Sequence, residues 1–165
     1  MKKLIFVRHG KAEELPNGIT DYERSLTTKG KIICRRMAQK FKEADPSPGV
    51  FVTSPGFRAL ETALIFAGAF GIKPEKLVLD NNIYHKMDFA YLTEILADIS
   101  EDIDSVTFFG HNPSFTEVAD KLCREGIDTM PKTSVIGITF DISTWKELRG
   151  KTGKIVYYLK PEIVL

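Results

Sequence analysis

The sequence has few cysteines and little net charge, and each scarcity excludes a class of protein. Its two cysteines, Cys34 and Cys123, lie far apart and lack the spacing of metal ligands. Buried free thiols are therefore favoured over a disulfide or a redox pair. The formal net charge is only +1, which argues against a general nucleic-acid binder or a membrane-surface binder. Any anion site must be a local cluster of cations.

Long apolar runs, repeats and low-complexity tracts are also missing. No apolar stretch approaches the ~20 residues of a transmembrane helix, and the apolar run near Met1 is too short for the core of a signal peptide. A soluble, cytoplasmic protein is expected. With 165 residues, 43% of them hydrophobic and 27% charged, the chain suits one domain covering residues 1–165.

Apolar periodicity predicts strands that alternate with helices. Strands are predicted at about 3–7, 50–53, 77–79, 105–110, 135–140 and 154–159, and helices at about 27–43, 57–70, 88–99 and 113–124. This alternation favours an α/β fold: a three-layer sandwich whose mostly parallel central sheet carries helices on both faces. The last two strands would pair as a hairpin, although their connection is long for one.

The first predicted strand ends in an arginine and a histidine, Arg8 and His9, before the chain breaks at Gly10. The carboxyl end of a parallel strand is where open α/β sheets bind their ligands. An imidazole can attack phosphorus, and a guanidinium can hold phosphate oxygens by two parallel hydrogen bonds. Polar residues before a turn are the alternative interpretation of this segment.

Two further strand ends carry residues of the same kind. Ser54 and Arg58 follow the strand predicted at 50–53, and His111 follows the strand predicted at 105–110. Taken alone, each histidine is more simply a structural or surface residue. Because the carboxyl ends of parallel strands meet along one edge of a sheet, these side chains can share a pocket.

These segments resemble the three signatures of the histidine phosphatase superfamily, which includes the cofactor-dependent phosphoglycerate mutases and the phosphohistidine phosphatases. The similar residues are Arg8-His9-Gly10, Ser54-Pro55 with Arg58-Ala59 and Thr62, and Gly110-His111. The segments Arg24–Gly30 and Gly110–Pro113 resemble the short SixA-type phosphohistidine phosphatase branch. The resemblance covers residues from about 3 to 140 and implies a phosphoglycerate mutase-like fold.

The resemblance implies a role for each of four residues. His9 would be the nucleophile and pass through a phosphohistidine intermediate, Arg8 and Arg58 would hold the phosphoryl oxygens, and His111 would complete the pocket. Phosphoryl transfer demands in-line positioning and neutralisation of charge, which a fixed guanidinium supplies. His9 must present an unprotonated nitrogen, so a backbone carbonyl is expected to accept from its other ring nitrogen.

Two more residues are candidates for binding phosphate or substrate. Arg24 would reach over the pocket, or would be a solvated arginine ahead of a helix cap. The backbone amide of Asn112 would donate to phosphate at the start of the next helix. Alternatively, the Asn112 side chain would only cap that helix, which is the slightly favoured interpretation because it needs nothing beyond local geometry.

One departure from the superfamily concerns the proton donor. Many members place a glutamate or aspartate near the middle of the chain as proton donor, but no acid in residues 79–88 aligns clearly with that position. Asp80, His85 and Asp88 are the remaining candidates for the proton donor, although a surface position is preferred for His85. The SixA-type branch resembles this chain in lacking that acid. An alcohol needs protonation to leave, whereas imidazole leaves with less help, so phosphoramidate substrates are favoured.

The favoured function is a metal-independent, cofactor-free phosphatase whose partner is a phosphohistidine protein and whose product is inorganic phosphate. The alternatives are a phosphatase of a small phosphoester or nucleotide, and a phosphate-recognition module with little turnover. A histidine zinc site is disfavoured because Arg8 and Arg58 would repel a cation. A mutase is disfavoured because the chain is short for the lid that it needs.

Overall fold

One mixed sheet of six strands organises the protein in the computed structural model, which describes residues 1–15 and 18–162. Residues 16, 17 and 163–165 of the predicted single domain lie outside the described residues. The spatial order is β3-β2-β4-β1-β5-β6. The strands are β1 (Lys2–Arg8), β2 (Val50–Thr53), β3 (Val78–Leu79), β4 (Ser105–Gly110), β5 (Val135–Phe140) and β6 (Lys154–Leu159).

Strands β3, β2, β4 and β1 run parallel, whereas β5 is antiparallel to both β1 and β6. The expected pairing of the last two strands is therefore confirmed. Five helices accompany the sheet in the described part of the chain: α1 (Thr28–Ala44), α2 (Phe57–Phe70), α3 (Asn82–His85), α4 (Phe89–Ala97) and α5 (Ser114–Leu122). The four-residue helix α3 was not predicted.

Two apolar clusters lie on opposite faces of the sheet. Side chains of β1 alternate between them, since Leu4 and Phe6 join the cluster that contains α4 and α5, while Ile5 and Val7 join the cluster that contains α1 and α2. This alternation is the period-2 geometry of a strand whose two faces are both covered. The predicted fold class, a three-layer α/β sandwich with a mostly parallel sheet, is confirmed.

The helix ends follow local sequence signals. The side chain of Thr27 accepts a hydrogen bond from the backbone N–H of Gly30 and caps α1, and Asp88 caps α4 in the same way through Tyr91. Gly71 ends α2 in the left-handed conformation at φ 68°, which glycine adopts without steric cost. These caps fix where the helices begin and end beside the sheet.

The parallel strands end level with one another. In the register of the sheet, Arg8 lies opposite Gly110 on one side of β4, and Thr53 lies opposite Phe109 on the other side. The first loop residues continue this ladder, because the backbone N–H of His9 donates to the carbonyl of Gly110 at 3.0 Å. The fold therefore brings the three predicted motifs to one edge of the sheet.

Cys34 and Cys123 are free and buried, as the sequence predicts. Among the described residues, no helix has both the length and the apolar character required to cross a lipid bilayer.

Candidate active site

His9 stands immediately beyond β1 with only 7% of its surface exposed. Its Nδ1 lies 2.7 Å from the carbonyl oxygen of Gly10. Since a carbonyl oxygen can only accept, Nδ1 carries the proton and donates it, which leaves a lone pair on Nε2. The expected backbone partner of the ring is therefore the carbonyl of Gly10. A Cβ on this glycine would lie 2.7 Å from the Cys34 sulfur, so the position leaves no room for a side chain.

Burial keeps the His9 ring neutral. The pKa of His9 is lowered to about 3, mainly because burial removes the ring from water. The hydrogen bond to Gly10 raises this pKa, whereas His111, Arg58 and Arg8 lower it further. An imidazole with a free Nε2 lone pair is the form that can attack phosphorus.

Arg58, the second residue of α2, contacts this lone pair directly. Its Nε–H donates to His9 Nε2 at 3.3 Å, and the residue is only 8% exposed. Its two other nitrogens donate to one residue, Asp21: NH1 to the backbone carbonyl at 2.8 Å and NH2 to the carboxylate at 3.1 Å. All three guanidinium nitrogens of Arg58 therefore donate hydrogen bonds to protein atoms.

His111 lies beside His9 with their ring centroids 5.3 Å apart. Its Nε2 lies 2.8 Å from the hydroxyl of Ser54, which also accepts from the backbone N–H of Gly56 at 3.1 Å. The Ser54 hydroxyl can donate to Nε2 or accept from it, and when it donates the proton of His111 resides on Nδ1. That Nδ1 is buried and has no partner in the described part of the chain.

Desolvation lowers the pKa of His111 to about 4, with Arg58 lowering it further. The ring is therefore neutral near pH 7, and in the tautomer that accepts from Ser54 it presents an N–H donor at Nδ1. Sequence reasoning quoted Ser54 in its motif but did not count it among the site residues. Its signal was its position directly after a strand.

Arg8 contributes a second unpartnered donor. Its NH1 donates to the carbonyl of Met130 at 2.8 Å, while its Nε is buried without a partner among the described residues. Its charge lies close enough to lower the pKa values of both His9 and His111. Buried polar groups are nearly always hydrogen-bonded. Arg8 Nε and His111 Nδ1 are therefore two buried nitrogens at one strand edge that have no partner among the described residues.

A strained residue, Thr133, holds the loop that follows β1. The backbone N–H of Thr133 donates to the carbonyls of both Arg8 and His9, at 3.0 and 3.2 Å. Thr133 is buried and has φ 64°, a conformation that β-branched residues rarely adopt. Sequence reasoning missed this residue, because nothing in the local pattern indicates its backbone conformation.

The two secondary candidates make contacts within the protein. Arg24 donates to the carbonyl of Glu13 at 2.7 Å and to the carboxylate of Asp21 at 3.1 Å. The Asn112 side-chain oxygen accepts from the backbone N–H of Thr116 at 3.2 Å, near the start of α5, as the favoured capping interpretation expects. Their predicted contacts to phosphate or substrate stay predictions.

The three alternative proton donors lie in other environments. Asp80 accepts from the hydroxyl of Tyr91 at 2.6 Å, Asp88 caps α4, and His85 is exposed, as preferred for it. The carboxylate found on Arg58 is instead Asp21, which sequence reasoning did not consider. Over residues 1–15 and 18–162, no three His, Cys, Asp or Glu side chains are grouped so that they could hold a metal ion.

Comparison with known proteins finds a family that resembles the first half of this chain. The model of the histidine phosphatase superfamily (branch 1) matches residues 4–81, a range that includes Arg8, His9 and Arg58. The resemblance to the histidine phosphatase superfamily is confirmed. With it, the prediction of a phosphatase-class hydrolase is confirmed at the level of the superfamily. Among curated proteins, no sequence matches this chain.

Solved structures share the histidine phosphatase fold over nearly the whole chain. A protein histidine phosphatase SixA in complex with tungstate is 22% identical, with TM-score 0.77 and coverage of 96% of this chain and 97% of the other. A protein of Agrobacterium tumefaciens provisionally named phosphohistidine phosphatase SixA is 20% identical, with TM-score 0.78 and coverage of 97% and 98%. A mycobacterial glucosyl-3-phosphoglycerate phosphatase is 13% identical, with TM-score 0.67 and coverage of 94% and 97%.

Acid is expected to destabilise the protein through its two buried imidazoles. His9 and His111 have lowered pKa values in the folded protein and an ordinary value of 6.5 when unfolded. Below about pH 6.5 the unfolded chain therefore takes up protons that the folded protein does not, and the free energy of unfolding falls as the pH is lowered. By pH 5 each imidazole contributes a loss on the order of 1–2 kcal/mol.

Urea denaturation between pH 7.5 and pH 5 measures this loss. The variant His111→Asn is expected to show a shallower pH dependence than the wild type, because it retains only one of the two imidazoles. Equal slopes for the two proteins, or a stability that does not fall toward pH 5, would contradict the assignment of neutral buried rings.

Proposed function

We propose that this protein is a metal-independent phosphatase that transfers the phosphoryl group of a protein phosphohistidine to His9 and then to water. The observation that carries the proposal is the state of the His9 ring. Its Nδ1–H is committed to the carbonyl of Gly10 and its Nε2 lone pair lies against Arg58. The nucleophilic nitrogen is thus unprotonated and adjacent to the cation that would hold the phosphoryl group.

The reaction has two steps in which the same residues act. In the first, His9 Nε2 forms a bond to phosphorus while the bond from phosphorus to the substrate imidazole nitrogen breaks. The substrate ring carries a proton on its other nitrogen and leaves as neutral imidazole with the electron pair. In the second, water attacks the phosphorylated His9, the new P–N bond breaks, and inorganic phosphate leaves. Arg8, Arg58 and the Nδ1–H of His111 neutralise the charge on the equatorial oxygens in both steps.

The choice of a phosphoramidate substrate follows from the carboxylate nearest the site. Partial desolvation opposes ionisation of Asp21, but hydrogen bonds from Tyr84, Arg24 and Arg58 outweigh it and lower its pKa to about 2. A carboxylate that is charged at neutral pH cannot protonate an alcohol leaving group. Imidazole leaves more readily without a proton donor. The protein histidine phosphatase among the structural neighbours supports the same substrate class.

The surroundings of the site suit a protein substrate. Tyr22 and Phe57 are 36% and 39% exposed, and the ring of Tyr22 contacts those of Phe57 and Tyr84 at centroid distances of 5.8 and 5.1 Å. Tyr84 in turn meets His111 edge to face. Exposed aromatic rings beside a polar centre are typical of protein interfaces.

Two buried free thiols support the predicted cytoplasmic location.

The same aromatic rings keep a second candidate function open. A nucleobase or an aryl group can stack on Tyr22 and Phe57, so a phosphatase of a small phosphoester or nucleotide remains the alternative. The glucosyl-3-phosphoglycerate phosphatase among the structural neighbours acts on a small phosphoester according to its name.

A substrate comparison in the presence of a chelator tests the proposal. The wild type would be assayed on a small protein phosphorylated at histidine with phosphoramidate, on 4-nitrophenyl phosphate and on a nucleoside monophosphate. We expect kcat/KM for the phosphohistidine protein to exceed that for the nucleoside monophosphate by at least about 10²-fold, the contribution of a missing general acid. 4-Nitrophenol leaves without a proton donor, so the aryl phosphate reports the nucleophile alone. A preference for the nucleotide would establish the alternative function, and loss of all activity with chelator would contradict a metal-independent reaction.

A further inference from the structure

The phosphate-binding edge of Arg58 is half occupied by the protein's own carboxylate. A guanidinium binds an oxyanion best through two parallel hydrogen bonds from adjacent nitrogens. On the edge formed by Nε and NH2, Nε faces His9 Nε2 and NH2 donates to Asp21 Oδ2 at 3.1 Å. The carboxylate of Asp21 therefore takes, on NH2, the place that a phosphoryl oxygen would take beside the nucleophile.

Three donors from separate parts of the fold hold this carboxylate. Arg58 and the hydroxyl of Tyr84, at 2.8 Å, both donate to Oδ2, whereas Arg24 donates to Oδ1 at 3.1 Å. Even so, the Asp21 side chain is 45% exposed, so solvent reaches one side of it. The carboxylate is positioned by the protein but is not locked inside it.

We propose that Asp21 sets the affinity and selectivity of the site as an internal competitor, whose carboxylate occupies Arg58 until a phosphoryl group displaces it toward Arg24. This inference rests on the proposed function, since it requires that Arg58 bind the phosphoryl group. Arg24 then has a defined part in binding, because it retains the displaced carboxylate rather than contacting phosphate.

The contacts of Arg58 favour competition over a purely positioning role for Asp21. The backbone carbonyl of Asp21 accepts from NH1 at 2.8 Å, and this bond is independent of the side chain. Arg58 therefore keeps an anchor when the carboxylate moves away. A phosphoryl dianion and a carboxylate on the same guanidinium edge would repel each other at short range. The carboxylate must leave NH2 before two phosphoryl oxygens can bind.

Competition of this kind has two consequences for the reaction. Weakly bound monoanions cannot displace the carboxylate, whereas a phosphoryl dianion that also contacts Arg8 and His111 can. The returning carboxylate also helps to release inorganic phosphate after hydrolysis. Because the low pKa of Asp21 keeps its side chain charged at any working pH, the competitor is present throughout the neutral range.

The test compares Asp21→Asn with a matched control, Glu23→Gln. Glu23 and Asp21 lie in the same short 3-10 helix, Asp21–Glu23. Glu23 is exposed and accepts a hydrogen bond from Thr20 rather than from Arg58. Both variants remove one negative charge from this segment, so the control measures the general electrostatic effect. Isothermal titration with inorganic phosphate is the readout, because it does not depend on turnover or on the identity of the substrate.

We expect Asp21→Asn to bind phosphate about 3- to 10-fold more tightly than the wild type, the range of a partly exposed ion pair, and Glu23→Gln to differ by less than about 2-fold. Tyr84→Phe keeps the charge but removes one donor that fixes the carboxylate, so it should shift affinity in the same direction by a smaller factor. Unchanged or weaker phosphate binding by Asp21→Asn would overturn the proposal and assign Asp21 to holding Arg58. If phosphate binding shifts as expected but no substrate is turned over, the proposed function fails while the competition stands.

Discussion

Turnover of every phosphorylated substrate is expected to fall by at least about 10³-fold when His9 is replaced by alanine, because no other side chain can accept the phosphoryl group from the same position. The unprotonated Nε2 of His9 lies against Arg58, whereas the Nε2 of the neighbouring His111 is engaged by Ser54. Rapid quenching in alkaline detergent with a radiolabelled substrate measures the effect directly, because the P–N bond of a phosphohistidine survives alkali but not acid. The wild type should yield a labelled protein and His9→Ala should not.

The variant His9→Asn serves as the control for packing, since it keeps a polar side chain of similar shape at the end of β1. It should be as inactive as His9→Ala while retaining phosphate binding through Arg8 and Arg58. Turnover that survives in both variants would contradict nucleophilic catalysis by His9. Such a result would favour the alternative in which the protein recognises phosphate without turning it over.

The second large effect is expected for Arg58→Lys, which should lower kcat/KM by about 10²–10³-fold, the range for loss of an electrostatic contact made in the transition state. An ammonium group keeps the charge but is compact, so it cannot bridge His9, the backbone carbonyl of Asp21 and a phosphoryl oxygen as the planar guanidinium does. Steady-state kinetics on 4-nitrophenyl phosphate and on the phosphohistidine protein measure this loss.

Arg24→Lys is the matched control for that substitution. Arg24 contacts Asp21 and Glu13 rather than His9, so the same change in side-chain type there should cost less than about 10-fold. Equal losses in the two variants would show that the loss is not specific to the geometry of Arg58, and would contradict the role proposed for its two-nitrogen edge.

Most of the fold could be predicted because its signals are local. Strand β1 contains an uninterrupted apolar run, residues 4–7, that ends at a charged residue. Gly71 marks the end of α2 at a conformation that glycine favours. Helix α3 could not be predicted in this way, since its four residues are too few to show a helical period. It matters for the site all the same, because it carries Tyr84 to the carboxylate of Asp21.

The candidate site was predictable where a residue follows a strand directly. His9 and His111 continue β1 and β4, so the geometry of a parallel sheet places them at one edge. Asp21 could not be found by the same reasoning. It lies in a loop segment whose contact with α2 is set by packing of Tyr22 against Phe57, and an aspartate among other charged residues carries no sequence signal for that contact.

Thr133 is a position at which this chain carries backbone strain to hold a loop. A left-handed backbone at a β-branched residue costs on the order of 1–3 kcal/mol, yet it aims one N–H at the carbonyls of Arg8 and His9 together. Selection for thermal tolerance alone would therefore drive position 133 toward glycine or asparagine, which accept this conformation more cheaply. Because the N–H belongs to the backbone, either residue would keep both hydrogen bonds, so position 133 offers protein engineers a way to stabilise this scaffold without loosening the loop that follows β1.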